Sequence, residues 1–141
     1  YKFGVFSPDD EKISRSFATV SERLTCPAVE GVARYENDKY FALVSNAPGN
    51  PWFVTTSWVI QYTIERATSV EEMKAISERI GRMAQRAAGG AILSEQFHPI
   101  TGELLSESPL AWSHAEFVLT VIAIMEKTEK LGMGNMIYPV E

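Results

Sequence analysis

Ser69-Val70-Glu71-Glu72-Met73-Lys74-Ala75-Ile76-Ser77-Glu78-Arg79-Ile80-Gly81-Arg82-Met83-Ala84-Gln85-Arg86-Ala87, closed by Gly89-Gly90, is the stretch whose reading decides the fold. Ser69 and Glu72 stand at the spacing of a capping box, in which each side chain satisfies the other's free backbone N–H. Behind them Met73, Ile76, Ile80, Met83 and Ala87 recur at steps of three and four, one stripe of a 3.6-residue period. A glycine pair past the last apolar residue ends a helix. The opposite face carries Lys74, Glu78, Arg82 and Arg86 at four-residue steps. In a chain of net charge −5 this reads as a solvated face and not as a stripe for a polyanion.

The same signals recur on both sides. Ser7-Pro8-Asp9-Asp10 offers a cap, a proline for the first helical position and acids for the positive helix end. Ile13, Phe17, Val20 and Leu24 then form a stripe, and Pro27 stops it. Residues 52–67 are almost all apolar, Thr or Tyr, too long a run for a typical strand, so they read as one helix buried on most of its surface. Ser108-Pro109 opens a last helix through Trp112, Ala115, Val118, Ile122 and Met125, with Lys127 and Lys130 at its negative end before Gly132. Every element predicted here is a helix, so the expected class is all-α. Two long segments, 25–51 and 94–108, are rich in Pro, Gly, Asn and acids and read as loops.

Composition narrows the function. With 45% apolar residues and 22% charged, the chain has enough material for a packed core. Eighteen acids against thirteen bases argue against nucleic acid. The charge-free run from Phe41 to Ile64 is interrupted by Asn46, Pro48, Gly49, Asn50 and Pro51 and is not a membrane span. A single cysteine, Cys26, allows no internal disulfide, and a cytoplasmic address is the expectation. The opening Tyr1-Lys2-Phe3-Gly4 has neither an initiator Met nor a leader pattern, which predicts a fragment.

Several chemistries are weak. His98 and His114 with Glu95 and Glu116 do not have the spacing of a helical metal pair. Nothing around Cys26 is arranged to activate a thiol. Gly89-Gly90 follows a helix, whereas a phosphate loop precedes one. Stronger is the grouping of polar and aromatic residues just before two helices, ending in Asn50-Pro51-Trp52 and beginning in Ser94-Glu95-Gln96. Rings beside carboxylates and an arginine suit sugars, whose C–H faces stack while their hydroxyls need charged or amide partners.

Four blocks sharpen this. Gly31-Val32-Ala33-Arg34-Tyr35-Glu36-Asn37-Asp38-Lys39-Tyr40, Asn50-Pro51-Trp52-Phe53-Val54-Thr55-Thr56, Leu93-Ser94-Glu95-Gln96-Phe97-His98-Pro99-Ile100-Thr101-Gly102-Glu103 and Ser106-Glu107-Ser108-Pro109-Leu110-Ala111-Trp112-Ser113-His114-Ala115-Glu116-Phe117 resemble, in this order, glycoside hydrolase family 15. That family contains glucoamylases, glucodextranases and some trehalases. The resemblance implies an (α/α)6 barrel and hydrolysis of α-glucosidic bonds with inversion. It implies Glu95 as general base and Ser106 as the hydroxyl that orients it. It places Arg34 on sugar hydroxyls, Asp38 behind that arginine, and Tyr35, Trp52 and Trp112 as aromatic walls. No role is implied for His114, and His98 follows a bacterial or archaeal form of its loop.

One part is missing. The family's general acid lies on a loop well before the Arg-Tyr block, and only thirty residues precede Gly31. Inversion needs two carboxyls roughly 6.5–9.5 Å apart, and twelve helices with their loops need on the order of 200 residues. The expectation is therefore the C-terminal portion of one catalytic domain, residues 1–141, inactive alone and completed by the missing N-terminal part. Its substrate is expected to be an α-glucoside oligosaccharide or disaccharide, glucoamylase-like with release of glucose, or α,α-trehalose as the alternative. A different class of function is a non-catalytic helical module that binds sugar or associates with itself. No metal or organic cofactor is expected.

Overall fold

The capping box at Ser69 forms: Ser69 Oγ accepts the Glu72 N–H at 3.2 Å, and the Glu72 carboxylate accepts the Ser69 N–H at 3.0 Å. It opens helix α3, Val70–Ala84, which buries Met73, Ile76, Ile80 and Met83. A computed structural model describes residues 1–132; the last nine residues of the expected domain lie outside the described residues. Three further helices are α1, Glu11–Leu24; α2, Phe53–Arg66; and α4, Ala111–Lys130.

The chain is not all-α. Five short strands, β1 Thr25–Cys26, β2 Gly31–Ala33, β3 Pro51–Trp52, β4 Gln96–Phe97 and β5 Leu104–Leu105, form one antiparallel sheet in the order β1-β2-β3-β4-β5. Strands of two or three residues are too short to show an alternating pattern, so the sequence hid them inside its loops. One row crosses all five: Thr25 pairs with Val32, Val32 with Trp52, Trp52 with Gln96, and Gln96 with Leu105. The helix expected over residues 52–67 therefore begins one residue later, because Trp52 is held in the ladder. No barrel is closed by the described residues; the architecture is four helices around a small sheet.

Other expectations shift for local reasons. Asp10, not Ser7, caps α1, its side chain accepting the Lys12 N–H at 2.8 Å. Ser7, Pro8 and Asp9 form the preceding turn instead, and Asp9 pairs with Arg66. The stripe Ile13, Phe17, Val20, Leu24 lines a cavity of about 310 Å³ shared with Val59 and Tyr62, and no residue of α1 is buried. α1 is ended by extended Thr25, ahead of Pro27. Nor is the α3 face simply solvated. Arg82 pairs with Glu30 at 2.8 Å, and Arg79 and Arg86 donate to the carbonyls of Glu30 and Val29, gripping the β1–β2 turn.

Helix α4 inverts the expected amphipathic pattern. It buries Ser113, Glu116, Thr120, Ile124 and Thr128, packing along α2, and leaves Trp112, Val118, Leu119, Ile122 and Met125 exposed. Small side chains on the buried face let two helices approach closely. The helix starts at Ala111, after the Ser108-Pro109 pair that sequence places at its first turn. The core below is Phe53, Ile60, Ile64, Met73, Met83, Leu93, Phe97 and Ile124.

Sheet and core meet at Gly31. A Cβ there would lie 2.5 Å from the Phe97 ring and 2.6 Å from Pro51 Cβ. Both neighbours are fixed by the ladder, so Gly31→Ala is expected to destabilise the fold by about 1–3 kcal/mol. A denaturant midpoint lowered with unchanged slope would show it, and an unaltered midpoint would refute it.

Candidate active site

Glu95 lies at the mouth of the β4–β5 hairpin. The pairs Gln96 with Leu105 and Phe97 with Leu104, continued by one residue, set Glu95 opposite Ser106. Their contact follows from this register: Ser106 Oγ donates to Glu95 Oε2 at 2.5 Å. Ser106 adopts φ +64°, a left-handed conformation uncommon outside glycine. The Glu95 backbone is tied on both sides, its N–H to Glu107 O at 2.8 Å and its carbonyl to the Phe53 N–H at 3.3 Å. A long contact from Gln96 Nε2, at 3.4 Å, also reaches Oε2. Oε1 accepts no bond from the described residues, and Glu95 is half-buried.

Arg34 leaves the end of β2 and is fixed by a fork. Its Nε and Nη2 donate to the two oxygens of Asp38 at 3.0 and 3.1 Å, and Nη2 also reaches Tyr35 Oη at 3.3 Å. Such paired charge-assisted bonds hold the guanidinium in one plane. The plane lies over three rings, with 4.5 Å to Trp52, 4.9 Å to Tyr35 and 5.5 Å to Tyr40. Nη1 makes no hydrogen bond among the described residues. Asp38 is buried and also accepts the Tyr40 N–H at 3.0 Å.

The sheet row joins the two halves. Trp52 stacks on Arg34 and pairs across β3–β4 with Gln96, the neighbour of Glu95. Buried Asn50 donates to Gln96 Oε1 at 2.8 Å and to Phe41 O at 2.7 Å, locking the segment from Asp38 to Trp52 against β4. Trp112 is not brought to this group. It meets Trp58 edge-on at 5.7 Å, and its indole N–H points to Glu116 Oε1 at 3.4 Å.

Several contributors carry no assigned role in the sequence reading: Tyr40, Asn50, Gln96, His114 and Glu116. All five sit inside the quoted blocks, and the signal for the first three was position close to an assigned residue. His114 accepts the Leu93 N–H at 3.1 Å through Nε2. Glu116, weighed only as a metal ligand, is a buried carboxylate bonded by Lys2 at 2.6 Å and Gln61 at 3.0 Å.

Comparison with known proteins finds a family and a relative. The family described as glycosyl hydrolases family 15 matches residues 60–122, a segment containing Glu95, Ser106 and Trp112. An uncharacterized glycosyl hydrolase of Methanocaldococcus jannaschii is 28% identical over 129 residues, covering 86% of this chain. The chain carries a glycosyl hydrolase family 15-like domain. It spans about a fifth of the length of the curated relative it matches. No solved structure matches it.

The electrostatics of this family 15-like domain centre on two carboxylates. Burial alone would push Asp38 up, but the Arg34 guanidinium and the Tyr40 N–H outweigh it and hold the carboxyl below its ordinary value. Glu116 is likewise pushed up by burial and brought below its ordinary value by Lys2 and Gln61. Burial pushes the Cys26 thiol up to about 11, so at neutral pH it is not a nucleophile. No group of His, Cys, Asp and Glu able to hold a metal ion occurs among the described residues, and none of their helices is long and apolar enough to cross a membrane.

A depressed carboxylate stabilises the fold fully above its unfolded value, near 4, and loses that contribution as pH falls through the folded value. Melting temperature is therefore expected to fall below about pH 4. Asp38→Asn should lower it at neutral pH and flatten part of the acid limb. An unchanged limb in that variant would show that the Arg34 pair does not contribute.

Proposed function

We propose that this chain is part of a catalytic domain that hydrolyses α-glucosidic bonds with inversion, releasing glucose as glucoamylases do, with Glu95 as general base. The observation that carries the reading is the asymmetry of that carboxylate. Ser106 and Gln96 both bond Oε2, which leaves Oε1 to take a proton from water attacking an anomeric carbon. Arg34 complements it, because Asp38 and Tyr35 engage Nε and Nη2 while Nη1 is left for sugar hydroxyls. Trp52 and Tyr35 supply ring surface beside it.

The general acid comes from the rest of the same domain. Two features support this. The chain spans a fifth of its relative, and the outward face of α4 presents Val118, Leu119, Ile122 and Met125 to be covered by further helices of an (α/α)6 barrel. The domain works in the cytoplasm and needs no cofactor, since acid and base suffice for the step.

The test is hydrolysis of maltose and of trehalose by the full-length protein. Faster turnover of maltose supports the glucoamylase type; preference for trehalose makes it a trehalase. Glu95→Gln is expected to lower kcat by at least about a hundredfold, and survival of activity would remove Glu95 from the chemistry. Ser106→Ala deletes one charge-assisted bond and should cost about tenfold in kcat. The 141-residue chain alone should be inactive. A concentration-dependent rise in its mass together with sugar binding would favour the non-catalytic, self-associating module.

A further inference from the structure

The segment carrying Glu95 is held from a direction the base and its serine do not explain. Leu93 is buried, and its N–H donates to His114 Nε2 at 3.1 Å, across 21 residues of sequence. Its carbonyl accepts the Leu110 N–H at 3.0 Å. Both bonds come from the start of α4, and two residues on, Glu95 is tied to Glu107 and Phe53. Four backbone bonds thus fix residues 93–95, and one of the four ends on a side chain. His98 offers a contrast: its Nδ1 accepts from Ile100 and Thr101 and organises only its own turn.

We infer that His114 is a positioning residue for the general base, acting through the Leu93 backbone; the inference rests on the reading of Glu95 given above. To accept the Leu93 N–H, Nε2 must carry the lone pair, so the ring proton is on Nδ1. No other acceptor for the Leu93 N–H exists among the described residues, and a buried N–H without a partner is not left in place; the chain shifts to find one. A shift at Leu93 is passed to Glu95 within two peptide units. The carboxylate must meet the water on a line set by the sugar, where displacement of about 1 Å costs up to roughly a hundredfold in rate. Arg34, the proposed contact to sugar hydroxyls, bonds Asp38 and Tyr35 and none of residues 93–95, so binding is expected to change less than turnover.

The experiment uses the full-length enzyme with His114→Gln and His114→Asn. The Gln amide oxygen reaches about as far as Nε2; the shorter Asn amide does not. Expected is kcat within about threefold of wild type for Gln and a loss between about ten- and a hundredfold for Asn, with KM moved by less than about twofold in both. His114→Ala with added imidazole gives a second measurement, in which restored kcat is expected. Equal kcat in the Gln and Asn variants, or a change confined to KM, overturns the inference, as does failure of imidazole to restore the Ala variant. Glu95→Gln in the same assay separates the two readings. If it stays active the base assignment falls, whereas an inactive Glu95→Gln beside insensitive His114 variants overturns the positioning role alone.

Discussion

Pairing of Trp52 with Val32 on one side and Gln96 on the other constrains the rest of the structure. The two partners lie 20 and 44 positions away in sequence, so this single residue closes the first long loop and brings the second one, beyond α2 and α3, alongside it. Once it is in the ladder, Phe53 must begin α2 at the end of the sheet's central strand, and the Phe53 N–H meets the Glu95 carbonyl. Arg34, two residues past Val32, arrives over the Trp52 ring. The hairpin continues the row to Leu105 and sets Ser106 against Glu95. The site is thus a consequence of register, and a slip of one residue would turn its side chains to the other face.

Charge is then placed where water is scarce. Asp38 and Glu116 are both buried carboxylates, and each is tolerated because a cation and neutral donors meet it together. The two differ in what they hold. Asp38 fixes the one charged fork that faces the aromatic group, while Glu116 joins α4 to α2 and to the first residues of the chain. Removing either cation leaves an uncompensated buried carboxylate, so loss of Arg34 or Lys2 costs more than the net energy of its pair.

Sequence made the helices legible and the sheet illegible, for one reason. A helix repeats its signal over several turns, as Met73, Ile76, Ile80 and Met83 do, whereas Pro51–Trp52 offers two residues and no period. The candidate site was legible in a different way. Glu95, Ser106, Arg34 and Asp38 stood out by resemblance, and their contacts come from pairing that no local pattern reveals. Trp112 was legible as an aromatic at a helix start, yet its neighbours are Trp58 and Glu116, because the direction in which α4 faces is decided by packing. Asn50 and His114 were invisible as positioning groups, since each acts on a partner 46 or 21 residues away.

The direction in which α4 faces carries a further argument. An isolated amphipathic helix turns its apolar side inward, because burial of that surface dominates folding. Here Ser113, Glu116, Thr120 and Thr128 go inward with Ile124, and Val118, Leu119, Ile122 and Met125 go outward. The small inward residues allow the close approach to α2, and Gln61 finds Glu116 and Thr120 across that seam. Turning α4 over would take Glu116 and Thr120 away from Gln61, and Glu116 away from Lys2. Polar contacts to Gln61 and Lys2 therefore fix the inner face, and the apolar residues Val118, Leu119, Ile122 and Met125 are left on the outer one. Under the proposed function, the part of the catalytic domain that supplies the general acid is what would cover this face.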